Sequence, residues 1–252
     1  MSFISVAVHC HNYQRRLCWM LSSLCEQTRP DLVVADVAYL GDNGVPRTEA
    51  LLDFYGARIG IVGSRWNEYS SFQKRGLTRN KQLSECRTEW LLFADCDMVY
   101  HPEYFERLFY ELTKHHAHAT YMLSSGRLST LKEPTNTLID AAITDRPVVV
   151  ENAFSQANQL PAVRKRNVGA GFSQLINVRQ APHAGYYVAP SANADWAWDS
   201  RFHKTKSDIQ FRHRIAEHGG SRRKLPEWFT QHLIHLNHDR DKEAGCHLET
   251  QR

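Results

Sequence analysis

None of the six cysteines (Cys10, Cys18, Cys25, Cys86, Cys96 and Cys246) forms a C-x-x-C pair, which excludes the commonest zinc and thioredoxin-type spacings. Several lie among apolar neighbours, where Cys behaves as a small hydrophobe, so reduced thiols in a cytoplasmic setting are expected. No apolar stretch approaches the roughly 20 residues that span a bilayer. The opening "MSFISVAVHCHNYQRR" has too short an apolar run for a signal peptide, and its charges follow that run. Any membrane contact is therefore expected to be peripheral. The chain has no internal repeat, low-complexity tract or linker-like composition shift. It also has no strong charge excess: 31 Lys and Arg against 27 Asp and Glu leave a formal +4. Such a surface permits phosphorylated or nucleic-acid partners without requiring one.

What the chain does have is apolar content, 42% of 252 residues, enough for a sizeable core. Its pattern alternates. A β-branched run at Phe3 to Val8 leads into a helical spacing at Leu17, Met20, Leu21 and Leu24. Leu32 to Leu40 reads as a second strand, followed by the turn Gly41 to Gly44, a helix through Leu51, Leu52 and Tyr55, and a third strand at Ala57 to Val62. Leu77 to Thr88 reads as a helix before the strand Trp90 to Ala94, and Pro102 opens a helix through Phe105, Leu108 and Leu112. Such alternation predicts a mainly parallel sheet flanked by helices. Further on, Asn167 to Val178 reads as a Gly-rich loop entering a strand, and Asp208 to Glu217 as a helix, with a frayed tail from Glu243.

Asp95 and Asp97 follow the most apolar strand, in "EWLLFADCDMVYHPEYF". Carboxylates at the carboxyl end of such a strand occupy the ligand edge of an open α/β sheet. Two hard oxygen donors at i and i+2 suit a divalent cation such as Mg2+ or Mn2+; alternatively, one Asp caps the helix near Pro102. Near the other end, "HLIHLNHDRDK" places His at 232, 235 and 238. A helix would put these on nearly one face, and an extended turn would still let His235 and His238 converge. Neutral imidazole is a common metal ligand.

The segment "GLTRNKQLSECRTEWLLFADCDM", Gly76 to Met98, resembles the nucleotide-sugar-binding half of GT-A glycosyltransferases of the family 2 type. Cys between the two aspartates with Met after them is most similar to chondroitin and hyaluronan polymerase modules. "VAVHCHNYQRRLCWMLSSL" resembles the first strand and loop of the same enzymes. "HLNHDRDK", from His235, is similar to the "M-I-R-H-S-R-D-K" segment of β-1,4-galactosyltransferases. The resemblance implies a single GT-A domain over 1–252, with a nucleotide-sugar-binding half at 1–100, an acceptor and metal half at 101–242, and a tail at 243–252. It places His9, His11, Tyr13, Asp42, Arg79 and Asp95 on the nucleotide-sugar. The metal, Mn2+ or Mg2+, falls to Asp97, His235 and His238, while His232 has no counterpart and reads as structural. A His where those enzymes have Met hardens the site and would also admit Zn, Fe or Co.

One part of the family pattern is missing. Inverting relatives carry an acidic pair whose Asp is the general base, and "FHKTKSDIQFRHR" places Thr205 and Lys206 there. Three readings stay open: Asp208 shifted into the role, a carboxylate from Asp195 or Asp199, or a retaining reaction that needs no such base. Asp208 is preferred. On the acceptor side stand Trp196 and Trp198, as faces for sugar stacking, and the loop "NVGAG" with Gly169.

The implied function is metal-dependent transfer of a hexose from a nucleotide-sugar, expected to be UDP-linked, to an acceptor hydroxyl. A polysaccharide acceptor ranks ahead of modified DNA, for which "VRKRN" (Val163 to Asn167) and "SRRK" (Ser221 to Lys224) are the basic candidates. The alternatives are a nucleotidyltransferase, or a non-catalytic nucleotide-sugar-binding module on the same fold.

Overall fold

The computed structural model describes residues 2–11, 13–41, 47–72, 75–114, 120–123, 129–132, 153–154, 158–159, 173–180 and 221–237. Its first half alternates strand and helix: β1 (Ile4–Cys10), α1 (Gln14–Cys25), β2 (Val33–Leu40), α2 (Arg47–Gly56), β3 (Gly60–Trp66), the single turn α3 (Tyr69–Phe72), α4 (Arg75–Glu85) and β4 (Trp90–Ala94). After these come β5 (Met98–Tyr100), α5 (Tyr104–Lys114), β6 (Thr120–Met122), β7 (Ser129–Lys132), β8 (Asn158–Gln159), β9 (Ser173–Asn177), β10 (Arg222–Lys224), α6 (Glu227–Gln231) and β11 (Leu233–Asn237).

Among the described residues seven strands form one sheet in the order β10-β6-β9-β4-β1-β2-β3. The β4-β1-β2-β3 block is parallel throughout, while β9 runs antiparallel to both β4 and β6. The expected mixed, mainly parallel α/β sheet is therefore present. A second sheet has the order β5-β11-β7-β8.

Period-two alternation divides the core. Ile4, Val6 and Val8 of β1, with Trp90, Leu92 and Ala94 of β4, join the large cluster shared with α1, α2 and α5. Ala7, Leu91 and Phe93 face the other way and pack with Ile176 and with Leu83 of α4. Burial on both faces explains why β1 and β4 read as continuous apolar runs.

Boundaries moved where the apolar signal was thin. The third strand, expected from Ala57 to Val62, occupies Gly60–Trp66. It is an edge strand with four of its seven residues exposed, so its composition marked it weakly. The α5 helix begins at Tyr104, and not at Pro102 as expected. Its start is fixed from elsewhere in the chain: the Phe105 backbone N–H donates to the Gln27 side-chain oxygen at 3.1 Å, while the Gln27 amide donates to the carbonyls of Ser23 and His101. Helix α4 covers Arg75–Glu85, ending short of Thr88. Among the described residues no helix is long and apolar enough to cross a membrane.

Candidate functional site

β4 ends at Ala94 in the seven-stranded sheet, and β5 begins at Met98 in the four-stranded one. Asp95, Cys96 and Asp97 are thus the crossing between sheets, which places two carboxylates at the end of a buried strand. β11 pins the far side of this crossing: His235 pairs with Met98, and the Leu236 N–H donates to the Asp97 carbonyl at 2.9 Å.

The two carboxylates meet different partners. Asp97 is 7% exposed, and its Oδ2 lies 3.4 Å from His235 Nε2. Asp95 is more open and forms a 3.8 Å ion pair with Arg79, whose guanidinium is buried and lies over the Phe93 ring. A separation of 3.4 Å between a carboxylate oxygen and an imidazole nitrogen suits two donors on one divalent ion, each bond being roughly 2.0–2.2 Å. Among the described residues no group of three or more His, Cys, Asp or Glu gathers as a metal site. The third expected ligand, His238, lies outside them. Between the two aspartates, Cys96 is a buried free thiol whose hydrogen bond with the Cys10 thiol, burial and neighbouring carboxylates raise its pKa.

β1 delivers the second group. His9 donates from Nε2 to the Phe72 carbonyl at 2.8 Å and stacks on the Phe72 ring with centroids 3.8 Å apart. His11 meets Tyr69 and Phe72 edge-on, and Trp66 packs on Phe72. Tyr13 sits under the Arg16 guanidinium at 4.4 Å, just before α1. The result is an aromatic wall beside the parallel strand ends, with Tyr69 half exposed. Sequence reading missed Tyr69 and Phe72; the signal was the pair of aromatics in "NEYSSF" shortly before α4.

His235 lies on a strand and His232 stands at the end of α6, so these two do not share a helix face; the convergence of His235 and His238 involves a residue outside the described ones. His232 donates from Nδ1 to the Trp228 carbonyl at 2.8 Å and stacks on that indole, a packing role. Asp42, Gly169, Asp195, Trp196, Trp198, Asp199 and Asp208 lie outside the described residues.

Sequence and structure comparisons bear on this arrangement. Residues 5–128 match the model of Glycosyl transferase family 2. No curated protein sequence matches the chain. Solved structures do: S. aureus TarS 1-349 in complex with UDP-GlcNAc has 14% identity and a TM-score of 0.61, covering 95% of this chain and 59% of that one. TarS 1-349 in complex with UDP has 14% identity and a TM-score of 0.59, covering 93% and 60%. The mannosyltransferase PcManGT from Pyrobaculum calidifontis, in complex with GDP-Man and Mn2+, has 12% identity and a TM-score of 0.58, covering 96% and 59%. The chain thus spans about 60% of the length of these neighbours. Its residues 5–128 carry a Glycosyl transferase family 2 match, and its mixed, mainly parallel sheet has the GT-A fold of glycosyltransferases.

Proposed function

We propose that the chain is a single-domain GT-A enzyme that transfers a hexose from a nucleotide-sugar, in the first instance a UDP-sugar, to an acceptor hydroxyl with the help of Mn2+ or Mg2+. The observation that carries this reading is the pairing of buried Asp97 with His235 at the crossing between the two sheets. It is supported by the family match over residues 5–128 and by neighbours bound to UDP, UDP-GlcNAc and GDP-Man.

In this reading Asp97, His235 and His238 would hold the divalent ion, which would supply charge neutralisation for the departing diphosphate. Asp95 turns toward the ribose, and buried Arg79 fixes its orientation through their ion pair. His9, His11 and Tyr13 line the nucleotide side, where the Phe72 contacts hold the His9 ring still. Asp208 is the proposed base for the acceptor hydroxyl, and Trp196, Trp198 and Gly169 form the acceptor side. A polysaccharide is the preferred acceptor.

The test is turnover. The chain is incubated with UDP-GlcNAc, UDP-glucose or GDP-mannose, with and without Mn2+, and released nucleoside diphosphate is measured. Asp97→Ala is expected to lower the Mn2+-dependent release roughly a thousandfold, because the metal's share of transition-state stabilisation is several kcal/mol. Near-normal release by that variant would contradict the metal assignment. With these donors, release of a sugar 1-phosphate in place of a nucleoside diphosphate would indicate a nucleotidyltransferase.

A further inference from the structure

Helix α4 carries a second buried polar side chain one turn beyond Arg79. Gln82 is 3% exposed, and its Nε2 reaches three oxygens on two neighbouring strands: the Val8 carbonyl at 3.2 Å, the Asp36 carbonyl at 3.0 Å and Asp36 Oδ1 at 3.3 Å. Backbone carbonyls only accept, so these contacts fix which end of the amide faces the sheet. The small apolar cluster of Ala7, Leu83, Leu91 and Phe93 belongs to the same strands and helix, and Gln82 Oε1 is buried without a hydrogen-bond partner. A buried amide in such surroundings is costly unless its hydrogen bonds are made, so leucine would be the default residue for packing alone.

The location gives the bonds a use. Val8 immediately precedes His9 on β1, and Arg79 lies on the same face of α4 as Gln82 at helical i,i+3 spacing. Arg79 reaches Asp95 at the end of β4, while Gln82 reaches β1 and β2. One helix therefore grips three adjacent parallel strands at or near the edge where the histidines and carboxylates lie. We infer that Gln82 is a positioning residue for the donor site, holding the end of β1, and with it His9, in fixed relation to the Arg79–Asp95 pair. This inference rests on the donor-site reading above, and it assigns Gln82 no contact with the donor itself.

The test is calorimetric titration of the full chain with UDP and with GDP, each with Mn2+, well below the melting temperature. Gln82→Leu and Gln82→Met keep the volume and remove the donor. Leu112→Ala in α5 serves as a control that loses core packing away from the site. Whichever nucleotide the wild type binds, both Gln82 variants are expected to bind it roughly tenfold more weakly, equivalent to about 1.4 kcal/mol. Amide exchange at His9 and Cys10 is expected to quicken. Leu112→Ala is expected to melt earlier yet retain wild-type affinity and local exchange rates. Unchanged affinity in a folded Gln82 variant would overturn the positioning role and leave the donor reading intact. An equal loss of affinity in Leu112→Ala would reduce Gln82 to general stability and likewise overturn it. If the wild type binds neither nucleotide, the donor reading fails and the inference with it.

Discussion

A carboxyl group facing an apolar layer must either find partners or hold its proton, and Asp36 does some of each. Burial raises its pKa from 3.8 to about 6, with Glu85 adding to the rise and the Gln82 bond and Lys81 opposing it. Cys86 also faces this carboxyl, and its own pKa is raised chiefly by burial. An acid whose pKa rises on folding stabilises the fold while protonated. That contribution is complete below its ordinary pKa and is lost as the pH climbs through about 6. Two pKa units correspond to about 3 kcal/mol of penalty at neutral pH. Asp36→Asn should therefore raise the melting temperature at pH 7.5, with the gain shrinking toward pH 4 in a pH series of thermal melts. A gain that does not depend on pH would assign the effect to packing. Nothing in the sequence marked Asp36 or Gln82, because their significance lies in a cross-strand contact between positions 46 residues apart. The D-x-D pair was legible, since two carboxylates behind five apolar residues contradict ordinary core chemistry.

At the scale of elements, legibility followed burial. β4 was readable to the residue because both of its faces are covered, which leaves an uninterrupted apolar run. β5 and β11 were not readable as strands: they span three and five residues, and their pairing joins segments far apart in the chain. Yet this pairing is what brings His235 to Asp97. The same seam carries His101, whose ring stands at 90° to that of His232, with centroids 5.0 Å apart. Burial and the neighbouring His232 depress its pKa, with Arg107 acting in the same direction and Glu103 opposing. A base whose pKa falls on folding costs stability as the pH drops below its ordinary value of 6.5. His101→Phe should flatten the decline in melting temperature between pH 7 and pH 5; an unchanged decline would place the sensitivity elsewhere. The α5 start depends on Gln27, so Gln27→Ala should cost about 1–3 kcal/mol in denaturant unfolding, the loss of one buried helix-end acceptor and two donated bonds. A cost near zero would show that water replaces the amide.

For the whole molecule, the organising feature is the passage of the chain from one sheet to the other through Asp95, Cys96 and Asp97. The parallel block supplies His9, His11 and Asp95, and the second sheet supplies His235. A parallel α/β domain could be inferred from the alternation of patterns, because each element declares its own period. The second sheet could not, since its strands are short and gathered from distant parts of the chain. Residue chemistry singled out the carboxylate pair and the histidines as candidates, and the resemblance joined Asp97 to His235 as an expected metal pair without showing why the two would meet. The most direct test of this junction as a metal-dependent nucleotide site is calorimetric titration of UDP into the wild type, Asp97→Ala and His235→Ala, each with and without Mn2+. The account predicts UDP binding that strengthens with Mn2+ in the wild type and loses that dependence in both variants. UDP affinity indifferent to Mn2+ in the wild type, or Mn2+-dependent binding preserved in both variants, would contradict it.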